Sequence, residues 1–293
     1  MNFTVAVAEY IAVLLLVLIT MGYMLLIFRH KSLRAHWKDS PPMATQIVSI
    51  ILISTFSGAF AILWILLSFE VLDNVPENGA LIIAVGYLYV SMQILYITAG
   101  LATFAQRIFI LSFPLKPMRP ANRIIVFSAT IIGTAGALFS AIPNVIYAAW
   151  DVQPVPKACY SFNCSALLTR GTYSTGVIMA LSICTVILGS VLQYVYYQFR
   201  SSNQTASTKK LNQFARYSFF LRVLFETAPF LIDTILGNTV KITIGKWLGP
   251  YGVMGCSLDF STCTFLYYNL VVKKKHYRSK TNGIITVPST CTR

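Results

Sequence analysis

The second apolar run of this chain decides its fold class: residues 43–69 read MATQIVSIILISTFSGAFAILWILLSF. These 27 residues include no Asp, Glu, Lys or Arg. A helix needs about 20 mainly apolar residues to cross the hydrocarbon core of a bilayer. The run is too long for a barrel strand, and a backbone in lipid must satisfy its own hydrogen bonds. We therefore predict a transmembrane helix here.

Six further apolar runs extend this interpretation to most of the chain. Of its 293 residues, 56% are hydrophobic and 11% are charged, which is more apolar surface than one soluble core can hide. We predict an all-α membrane protein, a seven-transmembrane helix bundle over residues 1–272 followed by a short basic tail over residues 273–293. The predicted spans are residues 5–28, 43–69, 80–105, 124–149, 173–199, 217–236 and 248–272, the third continuing as helix towards Phe113.

The formal charge of +14 reflects topology rather than nucleic-acid binding, because the basic residues lie between the apolar runs. The segments after the first, third and fifth spans, together with the tail, hold 18 of the 23 Lys and Arg residues. The opposite segments hold four, and only Arg222 lies inside a span. Short loops rich in Lys and Arg stay in the cytosol. The N-terminus is therefore predicted to lie outside the cytosol and the C-terminus inside.

The first and seventh runs need separate arguments. The seventh is rich in Gly and carries Asp259, but without a seventh span the cluster Lys273, Lys274 and Lys275 would lie outside, against the charge rule. No basic residue precedes the first run and no small-residue cleavage pattern follows it. We expect it to remain as a signal anchor rather than to be cleaved.

Cysteines and sequons add expectations about the outer face. Cys159 and Cys164 lie in the second outer loop, where an oxidising compartment permits a disulfide without requiring one. Sequons at Asn2 and Asn163 are outside and open to glycosylation, whereas the sequon at Asn203 is cytosolic. The cysteines within the spans are expected to be buried, chemically inert thiols. They are Cys184, Cys256 and Cys263.

Charged residues inside the spans are candidates for function, because they are costly in a membrane and face the interior of a bundle. Arg222, Glu226 and Asp233 share one face of the sixth span, and Arg222 and Glu226 are spaced to pair. Asp233 and Asp259, together with Glu226, are predicted to line an outward-facing ligand pocket. The alternative is that the acids bond neighbouring helices. Pro229 is expected to kink the sixth span and to act as a hinge.

Enzyme chemistry finds no support in the sequence. The three histidines lie in cytosolic segments and are expected at the surface, and no metal-binding spacing or nucleophile elbow is present. The seventh span has no Lys at its middle to carry retinal. We predict that the protein is not an enzyme and that it binds no metal or cofactor. The histidines are His30, His36 and His276.

The cytosolic end of the third span reads AQRIFILSFPL over residues 105–115. It resembles the acidic-Arg signature, followed by an aromatic-Pro-aliphatic step, that closes the third helix of G-protein-coupled receptors, particularly nematode serpentine chemoreceptors. Arg107 matches the Arg of that signature and Pro114 its Pro. Gln106 replaces the acidic residue, so an acid-Arg brake cannot operate at this pair.

Three further stretches are similar to serpentine receptor class BC. They are the loop from Pro156 to Cys164, the segment from Ser201 through Pro229 to Asp233, and the start of the seventh span from Gly249 to Cys256. Two features of rhodopsin-like receptors are absent, namely a Cys opening the third span and an Asn-Pro-x-x-Tyr closing the seventh. Tyr267, Tyr268 and Asn269 occupy the place of that switch without its Pro.

The resemblance implies a chemosensory receptor in the plasma membrane. The family also implies a location in the cilium of a sensory neuron. An extracellular small molecule would be its ligand and a heterotrimeric G protein its cytosolic partner. The alternatives are a seven-span carrier of a small solute and a ligand-gated channel. For the basic residues, the other explanation is topology and attraction to anionic lipid. The predicted coupling residues are Gln106, Arg107, Pro114, Lys209, Lys210 and Arg216.

Overall fold

The computed structural model describes residues 3–114, 118–150, 154–155, 172–199, 206–239 and 251–273, and within these ranges all regular secondary structure is helical. The first half contains α1 (Phe3–His30), the short α2 (Leu33–Asp39), α3 (Pro41–Ser68), α4 (Pro76–Ser112) and α5 (Met118–Trp150). In the second half, α6 spans Thr172–Gln198 and α7 spans Ala206–Arg222. A π-helical segment, Val223–Thr227, joins α7 to α8 (Ala228–Thr239), and α9 (Tyr251–Tyr267) continues into a second π-helical segment, Tyr268–Lys273.

Five of these helices, α1, α3, α4, α5 and α6, are long and apolar enough to cross a membrane. They coincide with the first five predicted spans, and α4 extends to Ser112 as the sequence indicated. The chain is therefore an all-α protein with multiple membrane-spanning helices that lie in lipid. The sixth predicted span is a longer helical stretch than expected, because helix begins at Ala206, and the seventh corresponds to α9 and its π extension.

Helix starts follow the local sequence. Both α3 and α4 begin at a proline, Pro41 and Pro76, where the missing N–H removes a hydrogen bond that the first turn would not make anyway. Ser32 caps α2 by accepting a hydrogen bond from the Ala35 N–H at 3.4 Å. This short helix lies in a segment predicted only as a basic loop, and it brings His36 into the bundle.

The helix α4 is central in the bundle. It packs most extensively against α5 and α3, and it also contacts α6 and α7, while α1 packs against α3 and α9. Aromatic rings fill the space between α1, α3 and α4: Tyr10 stacks on Trp64 with ring centroids 6.0 Å apart, and Phe60 stacks on Tyr89 at 5.7 Å. Because α4 is central, its polar side chains Gln93 and Tyr96 face the interior of the bundle, where they meet charged residues near the end of α7 and on α9.

Candidate functional site

A buried charge network joins α4, α7 and α9 at the centre of the bundle. Arg222 has no solvent exposure, and its Nε lies 3.3 Å from Oδ2 of Asp259 and 3.7 Å from Oε2 of Glu226. The pairing of Arg222 with Glu226 predicted from their spacing is confirmed, and Asp259 is an additional partner. We call Gln93, Tyr96, Arg222, Glu226 and Asp259 the core network.

The helix α4 is shaped to receive the Arg222 side chain. The guanidinium lies over the Tyr96 ring, 4.3 Å from its centroid, and Nη1 donates to the Ile97 carbonyl oxygen at 3.5 Å. Gly100 stands directly beneath the guanidinium, and a methyl group there would overlap it. The absence of a side chain at Gly100 thus allows a large cation to lie against the helix backbone, with a cation–π contact on the neighbouring turn.

The carboxylate of Asp259 is surrounded by donors. The Tyr96 hydroxyl donates to Oδ2 at 2.7 Å, and the Cys263 thiol donates to Oδ1 at 3.5 Å. The residue is completely buried. Asp259 was predicted to line an outward-facing pocket, but the structure gives it the alternative role, that of bonding neighbouring helices.

Glu226 faces α4 rather than an open cavity. Its Oε1 accepts a hydrogen bond from Gln93 Nε2 at 2.7 Å, and the residue is only 6% exposed. Asp233 lies two turns further along the same helical stretch, is partly exposed, and interacts with the Tyr251 side chain at the start of α9. The structure therefore separates the three predicted pocket acids, since Glu226 and Asp259 belong to the core network and Asp233 lies outside it.

The described residues also form a cavity of about 290 Å³ between α3, α4 and α5. Its lining is mainly apolar and extends to Trp37 of α2. Glu226, Asp233 and Asp259 are not among the lining residues. This cavity is therefore distinct from the pocket predicted from the acidic residues.

A π-helical segment replaces regular α-helix immediately before Pro229. The Ala228 N–H bonds to the Val223 carbonyl, five residues back, instead of to the residue four back. Proline has no N–H to offer the carbonyl of Phe225, four residues earlier. Gly255 of α9 packs against that carbonyl oxygen, and a methyl group at Gly255 would overlap it. The predicted irregularity at Pro229 thus takes the form of a π-helical segment in contact with α9.

Arg107 lies at the other end of α4 within a second polar cluster. Its Nη2 donates to Gln106 Oε1 at 2.9 Å and to Ser40 Oγ at 3.2 Å, while the Ser40 hydroxyl donates to the same Gln106 oxygen at 2.7 Å. Gln106 Nε2 reaches Asn122 of α5 at 2.8 Å. Arg107 is 3% exposed. The uncharged Gln106 thus accepts a hydrogen bond from Arg107 at the position where the G-protein-coupled receptor signature has an acidic residue.

The short helix α2 closes this cluster. His36 is 2% exposed, so its prediction as a surface residue was wrong, and its Nδ1 lies 2.8 Å from the Tyr267 hydroxyl of α9. We call Ser40, His36, Gln106, Arg107 and Tyr267 the polar latch, since they link α2, α4 and α9 through hydrogen bonds of polar side chains.

The remaining residues predicted for switching and coupling lie outside the polar latch. Tyr268 packs against Tyr23 of α1, with ring centroids 5.6 Å apart, and Asn269 donates to the Phe265 carbonyl at 3.1 Å. Pro114 is an exposed residue just beyond α4, and Lys209 is exposed on α7. Lys210 is half-buried.

Arg216 is bound within the bundle instead of projecting freely. Its Nε donates to Gln193 at 2.8 Å, and its guanidinium stacks on Tyr196 at 4.2 Å from the ring centroid. Both partners belong to α6. Arg216 therefore ties α7 to α6 in this conformation.

The predicted sequon and cysteine residues differ in whether the structure describes them. Asn2, Asn163, Cys159 and Cys164 lie outside the described residues. Of the cysteines within the helices, Cys256 and Cys263 are buried as predicted, whereas Cys184 is exposed on α6. Cys263 in addition donates a long hydrogen bond to Asp259, a contact that the sequence did not predict.

Sequence reasoning missed Gln93, Tyr96 and Gly100, although a signal was present. The three residues recur at intervals of three and four along the third run, which places a polar stripe and a gap on one helical face. Ser40, His36 and Tyr267 had no comparable signal, because their contacts join segments 66 or more residues apart.

Comparison with protein-family models and with curated proteins gives no match to this chain.

Proposed function

We propose that this protein is a seven-helix chemosensory receptor that binds a small molecule from the outside and activates a heterotrimeric G protein. In this proposal its N-terminus is extracellular and its C-terminus cytosolic, and it resides in the plasma membrane. The resemblance to nematode serpentine receptors, most closely to class BC, supplies the chemosensory role and the ciliary location. The proposal assigns the chain no catalytic activity and no cofactor.

Seven crossings are supported by helix length and by charge. The stretches 206–239 and 251–273 are both helical, and they pack among helices apolar enough for lipid. With seven crossings, all the large groups of basic residues, including Lys273, come to one side, which satisfies the positive-inside rule. With six crossings the group that includes Lys273 would face the outside. With five it would not, and the packing of the last two helical stretches among the other helices is what supports the two further crossings.

The observation that carries the proposal is the attachment of α7 to α9 and α4 through one guanidinium, that of Arg222. Directly beyond Arg222 the helix becomes π-helical, and such segments are frequent at functional sites. A ligand near Asp233 that binds better to a second arrangement of this segment would shift the population towards it. The shift can be no larger than the difference in binding free energy between the two arrangements.

The polar latch, which lies on the cytosolic side in this proposal, is the proposed output of that shift. Arg107 is buried beneath Ser40 and Gln106, so it must be uncovered before a G protein can touch it. Rearrangement of α9 would move Tyr267 away from His36 and release α2. Lys209, Lys210, Arg216 and Pro114 would then border the exposed surface. For each single lysine, attraction to anionic lipid explains the positive charge as well as binding to a G protein does.

A solute carrier is the second candidate, and the core network is the feature that favours it. Buried ionisable residues in membrane helices also mark substrate and ion pathways of transporters. A ligand-gated channel is the third. The aromatic packing of Tyr10, Trp64, Phe60 and Tyr89 fills the space on one side of the network, which is unfavourable for a continuous water path.

One experimental system separates the three candidates. The full chain is reconstituted in vesicles with a heterotrimeric G protein and screened with small volatile and water-soluble molecules. Nucleotide exchange that depends on an added molecule is the expected result. Uptake of that molecule, or current across the membrane, in vesicles lacking G protein and nucleotide would instead establish a carrier or a channel and overturn the receptor proposal.

A further inference from the structure

The charges of the core network do not balance. One cation, Arg222, stands between two carboxyl groups, those of Glu226 and Asp259, and all three residues are buried. No other Lys or Arg among the described residues forms an ion pair with either acid. If both acids were ionised, a net charge of about −1 would remain in the membrane interior. An uncompensated buried charge costs several kcal/mol, so such a group acquires a counter-ion or a proton.

The hydrogen bonds identify Asp259 as the ionised acid. It accepts from the Tyr96 hydroxyl at 2.7 Å, from Arg222 Nε at 3.3 Å and from the Cys263 thiol at 3.5 Å. Donors around a carboxyl group stabilise its charged form. Asp259 has three of them, on both of its oxygens, and one is the guanidinium itself.

Glu226 has a different environment. Its Oε1 accepts one neutral hydrogen bond, from Gln93 at 2.7 Å. Its Oε2 lies 3.7 Å from Arg222 Nε, which is too far for a hydrogen bond, and no described residue donates to this oxygen. A buried carboxylate oxygen without a donor is unfavourable. Protonation of this oxygen removes its charge, and burying a neutral O–H costs much less free energy than burying a carboxylate.

We propose that the core network binds one exchangeable proton and that the proton resides on Oε2 of Glu226. The network then contains Arg222 as a cation, Asp259 as an anion and Glu226 as a neutral acid, with no net charge. The titratable groups that face Glu226 among the described residues come from its own stretch, from α4 and from α9. They are Arg222, Tyr89 and Tyr96, Cys256 and Asp259. Among these only Arg222 is a cation.

Proton occupancy is linked to conformation. The packed arrangement of α7, α9 and α4 holds the proton, so lowering the pH favours it and raising the pH through the titration of Glu226 opposes it. Loss of the proton leaves two carboxylates competing for Arg222. Arrangements that admit water to the network are then favoured, because water can solvate the extra charge.

Infrared spectroscopy of the purified full chain in lipid nanodiscs tests this inference without any ligand or G protein. The wild-type spectrum at neutral pH is expected to contain the carbonyl stretch of a protonated carboxyl group, shifted by exchange into D₂O, that is missing from Glu226→Gln. The wild-type-minus-variant difference should correspond to one carboxyl group per chain. Gln keeps the oxygen that accepts from Gln93 and replaces the O–H with an N–H donor.

Two further variants make the test specific. Asp259→Asn removes the competing anion, so Glu226 should give up its proton to pair with Arg222 and the same band should disappear. Asp233→Asn, which alters an acid outside the core network, should leave the band intact. Persistence of the full band in Glu226→Gln, or in Asp259→Asn, would overturn the proposal. A band present in large organic cations but absent in sodium would overturn it too, by showing that a metal cation occupies the site.

The result does not depend on the proposed receptor activity. A protein that shows the band but fails to drive nucleotide exchange would retain the proton site and lose the receptor role. A protein that drives nucleotide exchange but lacks the band would retain the receptor role and lose the proton site.

Discussion

The backbone carbonyl oxygen of Phe225 packs directly against Gly255, so that the two helical stretches touch through main-chain atoms. Phe225 is the residue whose carbonyl loses its usual partner because Pro229 has no N–H. A glycine in α9 therefore lies at the one turn of the neighbouring stretch where the backbone is irregular. The packing of α9 therefore restrains the π-helical segment that precedes Pro229.

Gly255→Ala tests this contact. Its methyl group would overlap the Phe225 carbonyl and push α9 away from the π-helical segment, and overpacking of this kind costs about 1–3 kcal/mol. We expect a lower thermal midpoint for the purified chain. The matched control is Gly252→Ala, one turn earlier on α9, where an added methyl group meets no atom within 4 Å. Equal midpoints for the two variants would contradict the close packing.

Arg222→Met tests the core network. It removes the only cation among the described residues that pairs with Asp259 and Glu226, and removal of one member of a buried pair costs about 3–5 kcal/mol. Adding Asp259→Asn to Arg222→Met should recover part of that loss, because the uncompensated anion disappears. Thermal midpoints of the two single variants and the double variant give the coupling energy. Strictly additive losses would show that Arg222 and Asp259 do not stabilise one another.

Arg107→Ala tests the proposed coupling residue. We expect nucleotide exchange to be lost while surface expression is maintained, because the variant loses the side chain that the opened latch would present. Arg34→Ala changes an exposed arginine of α2 and serves as the control for charge alone. Unchanged exchange with Arg107→Ala would remove this residue from the coupling surface.

Ser40→Ala tests the closed state of the latch. The Ser40 hydroxyl bonds both Gln106 and Arg107, so its removal should weaken the closed arrangement and raise nucleotide exchange in the absence of ligand. The change in a buried hydrogen bond corresponds to about 1 kcal/mol, or roughly a fivefold change in the population of the open state. Basal exchange at or below the wild-type level would show that these bonds do not restrain signalling.

Asp233→Asn tests the outer acid. Asp233 is partly exposed and lies near Tyr251, outside the core network, so it remains the acid best placed to meet a ligand from the outside. The concentration of an active ligand needed for half-maximal exchange should change. Glu77→Gln, at an exposed acid at the start of α4, is the control. Unaltered response curves with several ligands would leave Asp233 with a purely structural role.

Much of the fold follows from the sequence because apolar length is a strong and local signal. Each of the five helices identified as long and apolar enough to span a membrane was predicted close to its observed bounds. The short helix α2 was missed, since its seven residues have no apolar run. Its position depends on a histidine and a serine that bond residues far away in the chain.

The site was predictable only where its members share a helix. Arg222 and Glu226 are four residues apart, so their pairing followed from helical geometry. The contact between Asp259 and Arg222 depends on how α9 packs against α7, and spacing along the chain carries no information about that packing. Asp259 therefore had no visible partner in the sequence and was predicted to line a pocket. The burial of His36 and Arg107 was hidden for the same reason.

The core network also has a consequence for biosynthesis. In the proposed seven-span arrangement Arg222, Glu226 and Asp259 enter the bilayer on two different helical stretches, and each is costly in lipid before those stretches meet. In newly made chains these charges therefore stay unfavourable until α7, α9 and α4 assemble. Only an assembled bundle hides these charges, so chains whose helices fail to meet keep ionisable groups in contact with lipid.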